Sequence, residues 1–521
     1  MSVLGAVLSE LSEEERDHRF TLLQGRLPAV WKAMRLNLPG EAIVVVPSVM
    51  PDSTIDGATM QALEERFLFL TLLLRQPRLE MIYITSMPVA PAIIEYYLSL
   101  LAGVIPSHAR RRLHLVSAHD RAARPLAAKL LERPRIVQQV RSLIPDPELC
   151  HLVPYVTTRH ERDLALALGI PMYGADPRLF PLGTKTGCRR LFREEDVPHP
   201  LGFEDLYSAD DVTEALAGIR RSRPRVERAL VKLNDGVSGR GNASVRLDGL
   251  PAPGDSDERQ ELEQRVRTMS PEQDDLTVDS YLADLLQMGG VVEERLIGSE
   301  LRSPSVQMRV TPLGDVELLS THDQMLGGPT GQKYLGCRFP ADFGYARSIS
   351  AEAMKVGRRL AAEGALGRFA VDFVVTRESA DGPWTPNAIE LILRKGGTTH
   401  PFLTLQFLTG GSYDPATALF TAPSGREKHM VATDHLESPA LRGLTHDDLF
   451  DIMARHGLHF DQSRQVGVVF HMMSALSELG RVGLTAVGET PEEADATYRR
   501  AEQIITEEAA EALVDPPLPP L

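Results

Sequence analysis

Residues 366–402 read LGRFAVDFVVTRESADGPWTPNAIELILRKGGTTHPF. Two β-rich runs within this stretch, Phe369–Val375 and Asn387–Leu393, are separated by a polar connection that contains Asp381-Gly382-Pro383. A turn signal between two apolar runs predicts a β-hairpin. We expect the rest of the chain to support this hairpin.

Two acidic residues of the predicted hairpin are not explained by β-propensity, Asp372 in the first run and Glu390 in the second. Because side chains alternate across a strand, Glu390, Ile392 and Arg394 share one face. If Asp372 lies on the same face of the sheet, two carboxylates and a guanidinium converge, which suits a hard cation between phosphate oxygens. The alternative is a hairpin whose charged residues lie on an ordinary solvated face.

The composition is that of a globular protein with several domains. A chain of 521 residues with 43% apolar content has room for about three domains with hydrophobic cores. The formal net charge of −15 argues against nucleic acid or an anionic membrane as the main partner, because either requires a basic surface. An anionic small ligand would instead need a local cluster of cations.

The cysteines and the N-terminus bear on the cellular compartment. Cys150, Cys188 and Cys337 are far apart and lack metal-type spacing, so neither a disulfide framework nor a zinc site is expected from them. The first residues turn acidic without a basic region, so no secretory signal is expected, and no apolar run is long enough to span a membrane. We therefore expect a cytoplasmic protein.

The segment from Glu41 to about Tyr173 alternates between strand and helix patterns. The expected strands are Ala42–Val46, Met81–Thr85, Leu113–Val116 and Leu152–Val156, and the expected helices are Thr59–Arg75, Pro91–Ala102 and Asp120–Glu132. This order predicts a parallel sheet. No Gly-x-Gly-x-x-Gly follows the first strand, so we expect a Rossmann-like domain without its usual dinucleotide.

Two lysines follow in contexts that favour phosphate. A helix that begins near Gly183 carries Lys185, although P-loop spacing is absent. A predicted strand carries Lys232 and is followed by a glycine-rich turn over residues 236–241 and a second strand. The backbone amides of such a turn can cover phosphates while Lys232 balances their charge, and a plain long hairpin turn is the alternative.

Three further segments lie between this turn and the hairpin. Residues 251–275 are polar and acidic, which predicts a mobile insertion. Glutamates bracket the extended segment 293–300 and could accept hydrogen bonds from a ribose while its backbone reads a purine edge; a solvated rim is the alternative. The stretch 319–341 is predicted to be a long irregular loop whose His322, Asp323 and Lys333 are candidates for substrate contact.

The C-terminal part reads as a separate module. A link at residues 422–430 precedes a helix at 445–455, apolar runs at 467–470 and 482–487, and a helix at 491–512. The last residues, 516–521, are expected to be disordered. The histidines here, His456, His459 and His471, have no strong metal spacing and are interpreted as satisfied structural side chains.

The order of these signals is more specific than any one of them. In chain order they are Lys185, Lys232 with its glycine loop, Glu293-x-x-Leu296-x-Gly298-x-Glu300, Asp372, Glu390 and Arg394. This order resembles the ATP-grasp superfamily over roughly residues 170–422. With RKGGTTHPF at its end, the arrangement is more narrowly similar to the pheganomycin-type peptide ligases.

The resemblance implies an α/β and α+β architecture in three parts. Residues 1–180 would form the Rossmann-like (pre-ATP-grasp) domain, 181–425 the ATP-grasp domain, and 430–515 the small C-terminal α+β module.

The resemblance also implies roles for individual residues, with ATP and Mg²⁺ as cofactors. Lys185, Lys232 and the loop residues Gly236, Ser238, Gly239 and Gly241 would hold the phosphates, and Glu293, Glu294, Leu296 and Glu300 would contact adenine and ribose. Asp372 and Glu390 would bind Mg²⁺, and Arg394, with Lys232, would act in catalysis. Further candidates for substrate contact are Arg309, His322, Lys333, Lys395 and Thr398.

One position departs from the family pattern. The residue two beyond the metal-binding glutamate is usually asparagine in the family, whereas this chain has Ile392, which offers no oxygen to a cation. Asn387 lies an odd number of positions from Glu390 and so points to the other face of a regular strand. One tightly held Mg²⁺, another ligand, or impaired catalysis would each account for the difference.

The function expected from the resemblance is ATP-dependent ligation of a carboxylate and an amine, in specialised metabolism, through an acyl phosphate with release of ADP and phosphate. Two alternatives stay open: a catalytically impaired ATP-binding partner or regulatory protein, and an ATP-grasp phosphotransferase or carboxylase. The expected partners are a small-molecule or peptide carboxylate and an amine, and a homodimer is also left open.

Overall fold

The computed structural model describes residues 8–34, 36–51, 55–236, 241–273, 276–328, 331 and 333–513. The described residues form four sheets with helices packed between and around them. Among the helices described, none has the length and apolar character that crossing a membrane would require.

The N-terminal part is built on a four-stranded parallel sheet, as predicted. Its strands are β1 Ala42–Val46, β2 Glu80–Thr85, β3 Leu113–Ser117 and β4 Cys150–Pro154, in the spatial order β3-β2-β1-β4. The helices of this part are α1 Glu13–Gln24, α2 Leu27–Met34, α3 Gly57–Glu65, α4 Pro91–Ser99, α5 Pro106–Arg111, α6 Leu126–Leu131, α7 Pro134–Leu143 and α8 Arg159–Leu168. Every residue of β1 is buried, because helices cover both faces of the sheet.

The three helices predicted here have different bounds. The one expected over Pro91–Ala102 ends at Ser99. The one expected over Thr59–Arg75 ends at Glu65, and a 3₁₀ helix over Leu68–Arg75 follows it. The helix expected from Asp120 begins only at Leu126. Pro125 explains this later start, since proline disfavours helical backbone in the residue before it.

The second part, residues 185–294, places helices against a five-stranded sheet in the order β5-β9-β6-β7-β8. Its strands are β5 Gly202–Leu206, β6 Arg228–Leu233, β7 Asn242–Arg246, β8 Ser270–Pro271 and β9 Gly290–Glu294. Its helices are α9 Lys185–Glu194, α10 Ala209–Ser222, α11 Glu258–Arg267 and α12 Val278–Met288. The lysine-bearing strand expected at Arg228 is therefore β6, in the middle of this sheet.

The expectation that residues 251–275 form a mobile insertion is corrected for the described part of that segment. Helix α11 lies within it, and its Leu262 and Val266 are buried in the core of this part of the protein. These two side chains are one helical turn apart and so share a face. Glu258 pairs with Arg220 of α10, which attaches the start of α11 to the same core.

A nine-stranded sheet forms the centre of the protein. Eight of its strands follow the order β10-β14-β11-β12-β13-β18-β20-β19, and β15 pairs with β14. The first six in sequence are β10 Glu300–Arg302, β11 Pro304–Val310, β12 Val316–Gly327, β13 Lys333–Phe339, β14 Gly367–Arg377 and β15 Thr385–Ile392. Helix α13, Phe343–Ala362, packs on this sheet, and α14, Thr399–Thr409, follows β15. Strands β14 and β15 are the predicted hairpin.

The prediction of an irregular loop over 319–341 is wrong, because β12 and β13 form an antiparallel pair through most of that stretch. Its glycines misled the prediction. At Gly336 an added Cβ would lie 2.2 Å from the carbonyl oxygen of Ala432, so this glycine permits close approach of the neighbouring strand. Strand β12 ends at Gly327, and β13 runs from Lys333 to Phe339.

The C-terminal residues extend the same sheet. A two-stranded sheet of β16 Ser412–Asp414 and β17 Leu419–Thr421 precedes β18 His429–Glu437, α15 His446–His456, β19 Gly467–His471, α16 Ala475–Leu479, β20 Arg481–Gly488 and α17 Pro491–Ala512. Strand β18 pairs with β13, so the sheet continues across the predicted boundary near residue 425. The predicted domain limits thus stay predictions, and the expected tail, 516–521, lies outside the described residues.

Candidate functional site

Asp372 and Glu390 lie directly opposite each other on β14 and β15. Directly opposed residues of an antiparallel pair put their side chains on the same face, so the two predicted faces do coincide. A β-bulge follows immediately, between Asp372 and Phe373, and shifts the register of the rest of the hairpin. The bulge therefore interrupts the regular pairing directly after the two carboxylates, as is common next to functional sites.

Asp372 is buried, and its oxygens are only partly satisfied. Ser305 of β11 and Gln324 of β12 act to lower the pKa of this carboxyl, yet Oδ1 is buried with no partner among the described residues. Burial, and then the charge of Glu390, raise the pKa of Asp372 to about 6. A buried carboxylate oxygen without a partner, next to a second carboxylate, fits a hard cation such as Mg²⁺.

Lys185 neutralises Glu390 from the first turn of α9. Its Nζ lies 2.7 Å from Oε1 of the carboxylate. The helix begins here because the Thr184 hydroxyl accepts a hydrogen bond from the backbone N–H of Gly187, at 3.0 Å. Burial alone would raise the pKa of Glu390, but the Lys185 ammonium outweighs it and holds that pKa below its usual value.

Lys232 forms a second ion pair, and this one is buried. Its Nζ lies 2.5 Å from Oε2 of Glu293 on the adjacent strand β9, and Arg189 of α9 lies 2.7 Å from Oε1. Burial acts to raise the pKa of Glu293, but the two cations outweigh it and lower that pKa to about 2. The charge of Lys232 also lowers the pKa of Glu390, so the two ion pairs lie in one electrostatic environment.

Arg394 approaches the same carboxylates from beyond the end of β15, so strand alternation does not set its direction. Its guanidinium lies 5.5 Å from the ring centre of Tyr155 and donates to that hydroxyl at 3.2 Å. The Arg394 charge contributes to the lowered pKa of Glu390. The structure thus brings Lys185, Lys232, Glu293, Asp372, Glu390 and Arg394 together.

Tyr155 is a site residue that the sequence interpretation did not select. It directly follows the parallel strand β4, and the carboxyl ends of parallel strands are where α/β sheets bind ligands. The position of Tyr155 directly after a predicted parallel strand was the signal that could have identified it. Ser305 and Gln324 were missed because no local pattern relates them to Asp372.

The glycine-rich turn is only partly visible. Ser238 and Gly239 lie outside the described residues. Gly236 and Gly241 are described. Gly241 has a φ of 82°, a left-handed conformation that favours glycine, and its carbonyl accepts a hydrogen bond from the Tyr281 hydroxyl at 2.7 Å. The end of the turn is therefore fixed to α12.

The predicted adenine and ribose contacts occupy the edge between β9 and β10. Glu294 accepts a hydrogen bond from the backbone N–H of Leu201 at 3.1 Å, and Leu296 is half-buried beyond the strand. Glu300 is half-buried and pairs with Arg377, with Nη2 2.7 Å from Oε1. No contact recorded for Glu294, Leu296 or Glu300 within the described chain extends to the carboxylate pair.

Several predicted substrate residues are not part of the cluster. His322 is buried, its Nε2 lies 2.8 Å from the Ser320 hydroxyl, and burial lowers its pKa to about 3. Arg309 pairs with Glu317, with Nε 2.6 Å from Oε2, and stacks on Trp31 at 5.4 Å. These surroundings assign His322 and Arg309 to packing rather than to a ligand surface.

The remaining candidates are Lys333, which is exposed near the tip of the β12–β13 hairpin, Asp323, Lys395 and Thr398. Asp323 accepts a hydrogen bond from the Tyr345 hydroxyl at 2.6 Å. Lys395 is buried, and its ammonium donates to the carbonyl of Pro154. The buried Thr398 hydroxyl has no partner among the described residues.

Two family models match the chain. The one described as IQCH-like, ATP-grasp matches residues 179–274 and 262–414, and the one described as PGM1 C-terminal domain matches residues 448–501. The first therefore covers both ion pairs and the carboxylate hairpin.

Two relatives match most of the chain. The chain is 30% identical over 446 residues to L-propargylglycine–L-glutamate ligase of Streptantibioticus cattleyicolor, covering 83% of this chain and 87% of that protein. It is 25% identical over 483 residues to IQ motif-containing protein H of Danio rerio, covering 84% of this chain and 45% of that protein.

The solved biotin carboxylase domain of Hydrogenobacter thermophilus 2-oxoglutarate carboxylase, in complex with MgADP, ADP and bicarbonate, shares the fold. Its TM-score is 0.53 at 13% identity, over 88% of this chain and 89% of that one. Taken with the extended match to the amino-acid ligase, these findings show that the chain belongs to the ATP-grasp superfamily.

Proposed function

We propose that the protein is an ATP-dependent ligase that joins a carboxylate to an amine. The observation that carries the proposal is the cross-strand pair of Asp372 and Glu390, with a buried carboxylate oxygen left over and three cations around it. Phosphoryl transfer needs positioning and charge neutralisation more than a covalent nucleophile, and this cluster supplies both. The likeness to an amino-acid ligase supports the choice of an amide bond as product.

Asp372 and Glu390 would hold Mg²⁺, which would supply charge neutralisation between the phosphates of ATP. Lys185 and Lys232 are already desolvated and oriented by Glu390 and Glu293. Exchange of these carboxylate partners for phosphate oxygens would let both lysines bind the nucleotide without a large movement. Both lysines are therefore assigned to ATP binding.

Arg394 would face the reacting carboxylate. It is the cation of the cluster that also contacts the N-terminal domain, through Tyr155. Its guanidinium can stabilise the charge that develops on the transferred phosphoryl group and on the acyl phosphate. An amine would then displace phosphate to form the amide, and ADP would be the other product.

Ile392 bears on whether a second cation is bound. It lies opposite Ala370 of β14, and its side chain offers no oxygen to a cation. Gln324 of β12 is near enough to Asp372 to lower the pKa of that carboxyl, and it places an amide group at the cluster. We therefore propose that the Gln324 amide oxygen binds the second cation in place of the asparagine that is usual at the position of Ile392.

The test is ATP turnover with panels of L-amino acids as carboxylate and amine. Formation of ADP and phosphate that requires both substrates, together with an amide product seen by mass spectrometry, is the expected result. Asp372→Asn should abolish turnover, whereas Asp381→Asn, on the exposed hairpin turn, should not. Release of AMP and pyrophosphate would contradict the mechanism.

Ile392 also favours a second candidate, an ATP-binding protein without catalytic activity. In that case calorimetry would detect ATP binding that Lys232→Ala weakens, while no pair of substrates gave turnover. Restoration of activity by Ile392→Asn would identify a degenerate ligase.

A further inference from the structure

A histidine–aspartate–histidine cluster lies where α14 meets the C-terminal strands. His400 belongs to the first turn of α14, Asp434 to β18, and His471 ends β19. Oδ1 of Asp434 lies 2.7 Å from Nε2 of His471 and 3.1 Å from Nε2 of His400, and the two Nε2 atoms are 3.1 Å apart. Three potential ligand atoms therefore point at one place.

The three side chains of the cluster are buried. Their exposed fractions are 3% for His400, 4% for Asp434 and 4% for His471. Nε2 of each ring and Oδ1 of Asp434 contact one another, so two nitrogen atoms and one oxygen atom are gathered inside the protein. Nδ1 of His400, which is not the nitrogen that faces Asp434, is buried and has no partner among the described residues.

The backbone around the cluster is shaped to bring the rings together. Gly483 lies opposite His471 on β20, and a Cβ there would lie 2.1 Å from Nε2 of that ring. Any side chain at this position would therefore displace the imidazole from Asp434. The glycine is required by the position of the ring and not by a turn, since it lies within a strand.

Arg66 orients the aspartate of the cluster. Oδ2 of Asp434 accepts a hydrogen bond from Nη1 of Arg66 at 2.6 Å, which orients Oδ1 toward the rings.

We propose that His400, Asp434 and His471 bind one first-row divalent cation, with Zn²⁺ the best match to two imidazole nitrogens and one carboxylate oxygen. Zn²⁺ takes nitrogen and carboxylate ligands at about 2.0–2.2 Å and accepts three protein ligands plus a fourth group. The site is separate from the oxygen ligands of Asp372 and Glu390, which suit Mg²⁺. Harder and softer cations thus have different sites in the same chain.

The bound ion would join three elements that are distant in sequence. His400 follows the Arg394 segment, Asp434 and His471 lie on C-terminal strands, and Arg66 ties the site to the N-terminal domain. Fixing the start of α14 would also fix the loop from which Arg394 reaches the carboxylates. The cation would therefore be structural and act on the phosphate site through position alone.

The experiment is Co²⁺ and Zn²⁺ titration of the full chain after dialysis against a chelator. We expect one equivalent of Co²⁺ to give visible absorption bands of an imidazole-containing site, and Zn²⁺ to displace it. His471→Gln should weaken binding by more than about 100-fold, because even second-shell changes cost about 10–100-fold. His456→Gln, at a histidine that pairs with Glu508, is the matched control and should bind as the wild type does.

Asp434→Asn provides a second variant of nearly the same shape in case His471→Gln does not fold, and it should also lose the cation. Zinc X-ray absorption on the wild type should show two imidazoles. Absence of Co²⁺ binding by the wild type, or binding by Asp434→Asn equal to wild type, would overturn the proposal and leave a hydrogen-bonded triad. Neither outcome depends on ligase activity.

Discussion

Lys185 and Glu390 form an ion pair across two parts of the protein, with Nζ 2.7 Å from Oε1. The lysine begins α9 and the glutamate lies on β15 of the central sheet, so the pair connects α9 to the sheet at the candidate site. Only 10% of the lysine side chain and 31% of the glutamate side chain are exposed. The pair therefore keeps both charges compensated before any nucleotide binds.

Lys185→Met should destabilise the protein by about 2 kcal/mol, less than for a fully buried pair because Glu390 is partly exposed. The loss arises because Glu390 stays charged without its partner. Adding Glu390→Gln should recover most of the free energy of unfolding, which urea denaturation of the two single variants and the double variant would measure. Equal losses in Lys185→Met and the double variant would show that the pair contributes little.

Asp372→Asn should increase stability and remove activity. The folded pKa of Asp372 is raised to about 6 from an ordinary value of 3.8, so folding becomes less favourable as pH rises between these values. Above pH 6 the asparagine variant should therefore be more stable than the wild type, by about 1–2 kcal/mol. Thermal unfolding at pH 4 and pH 8 tests this, because the difference should be small at the lower pH.

The same titration predicts how cation binding depends on pH. A proton on Asp372 competes with Mg²⁺ for the carboxylate, so affinity for Mg·ADP should fall as pH drops below about 6. Calorimetric titrations across pH 5 to 8 would detect the change. Unchanged affinity over this range would mean that Asp372 is not a ligand.

Glu293→Gln should be strongly destabilising. It removes the negative charge between Lys232 and Arg189 and leaves the buried Lys232 ammonium without its carboxylate, while Arg189 keeps Glu204, so the cost is about 3 kcal/mol. Since the folded pKa of Glu293 is lowered to about 2, its contribution is present above its ordinary pKa of 4.5 and is lost as pH falls toward 2. Glu294→Gln is the control, because glutamine keeps the acceptor for Leu201 and gives up only a 3.8 Å contact with the exposed Arg223.

Local patterns explain why much of the fold could be predicted. Periodicity placed the four parallel strands, the hairpin that carries Asp372 and Glu390, and the last helix, Pro491–Ala512. Each of these depends on residues close in sequence. Helix α11 and the strand β13 were not predicted, because their apolar positions and glycines are explained only by the neighbours they pack against in the fold.

The composition of the candidate site was only partly accessible from the sequence. Alternation put Asp372 and Glu390 each on one face, but the coincidence of these faces depends on strand register, including the bulge after Asp372. Tyr155 lies far from Arg394 in sequence, and no pattern links them. His471 was interpreted as a satisfied structural histidine. His400 and Asp434 lie in other elements, so no spacing in the sequence relates the three residues.

Lys395→Met should change how stability depends on pH. Burial, and then the charge of Arg368, lower the pKa of Lys395 to about 7 from 10.5, so the folded protein releases a proton that the unfolded chain keeps between these values. The free energy of unfolding of the wild type should therefore rise as pH increases from about 7 toward 10.5.

Methionine carries no charge at any pH, so the variant should show a flatter profile and less loss of stability near pH 7. The lost hydrogen bond to the Pro154 carbonyl, about 1 kcal/mol, should appear equally at all pH values and so be separable from the slope. Lys32→Met, at an exposed lysine, is the matched control and should keep the wild-type slope. Parallel profiles for Lys395→Met and the wild type would show that Lys395 stays protonated in the folded protein.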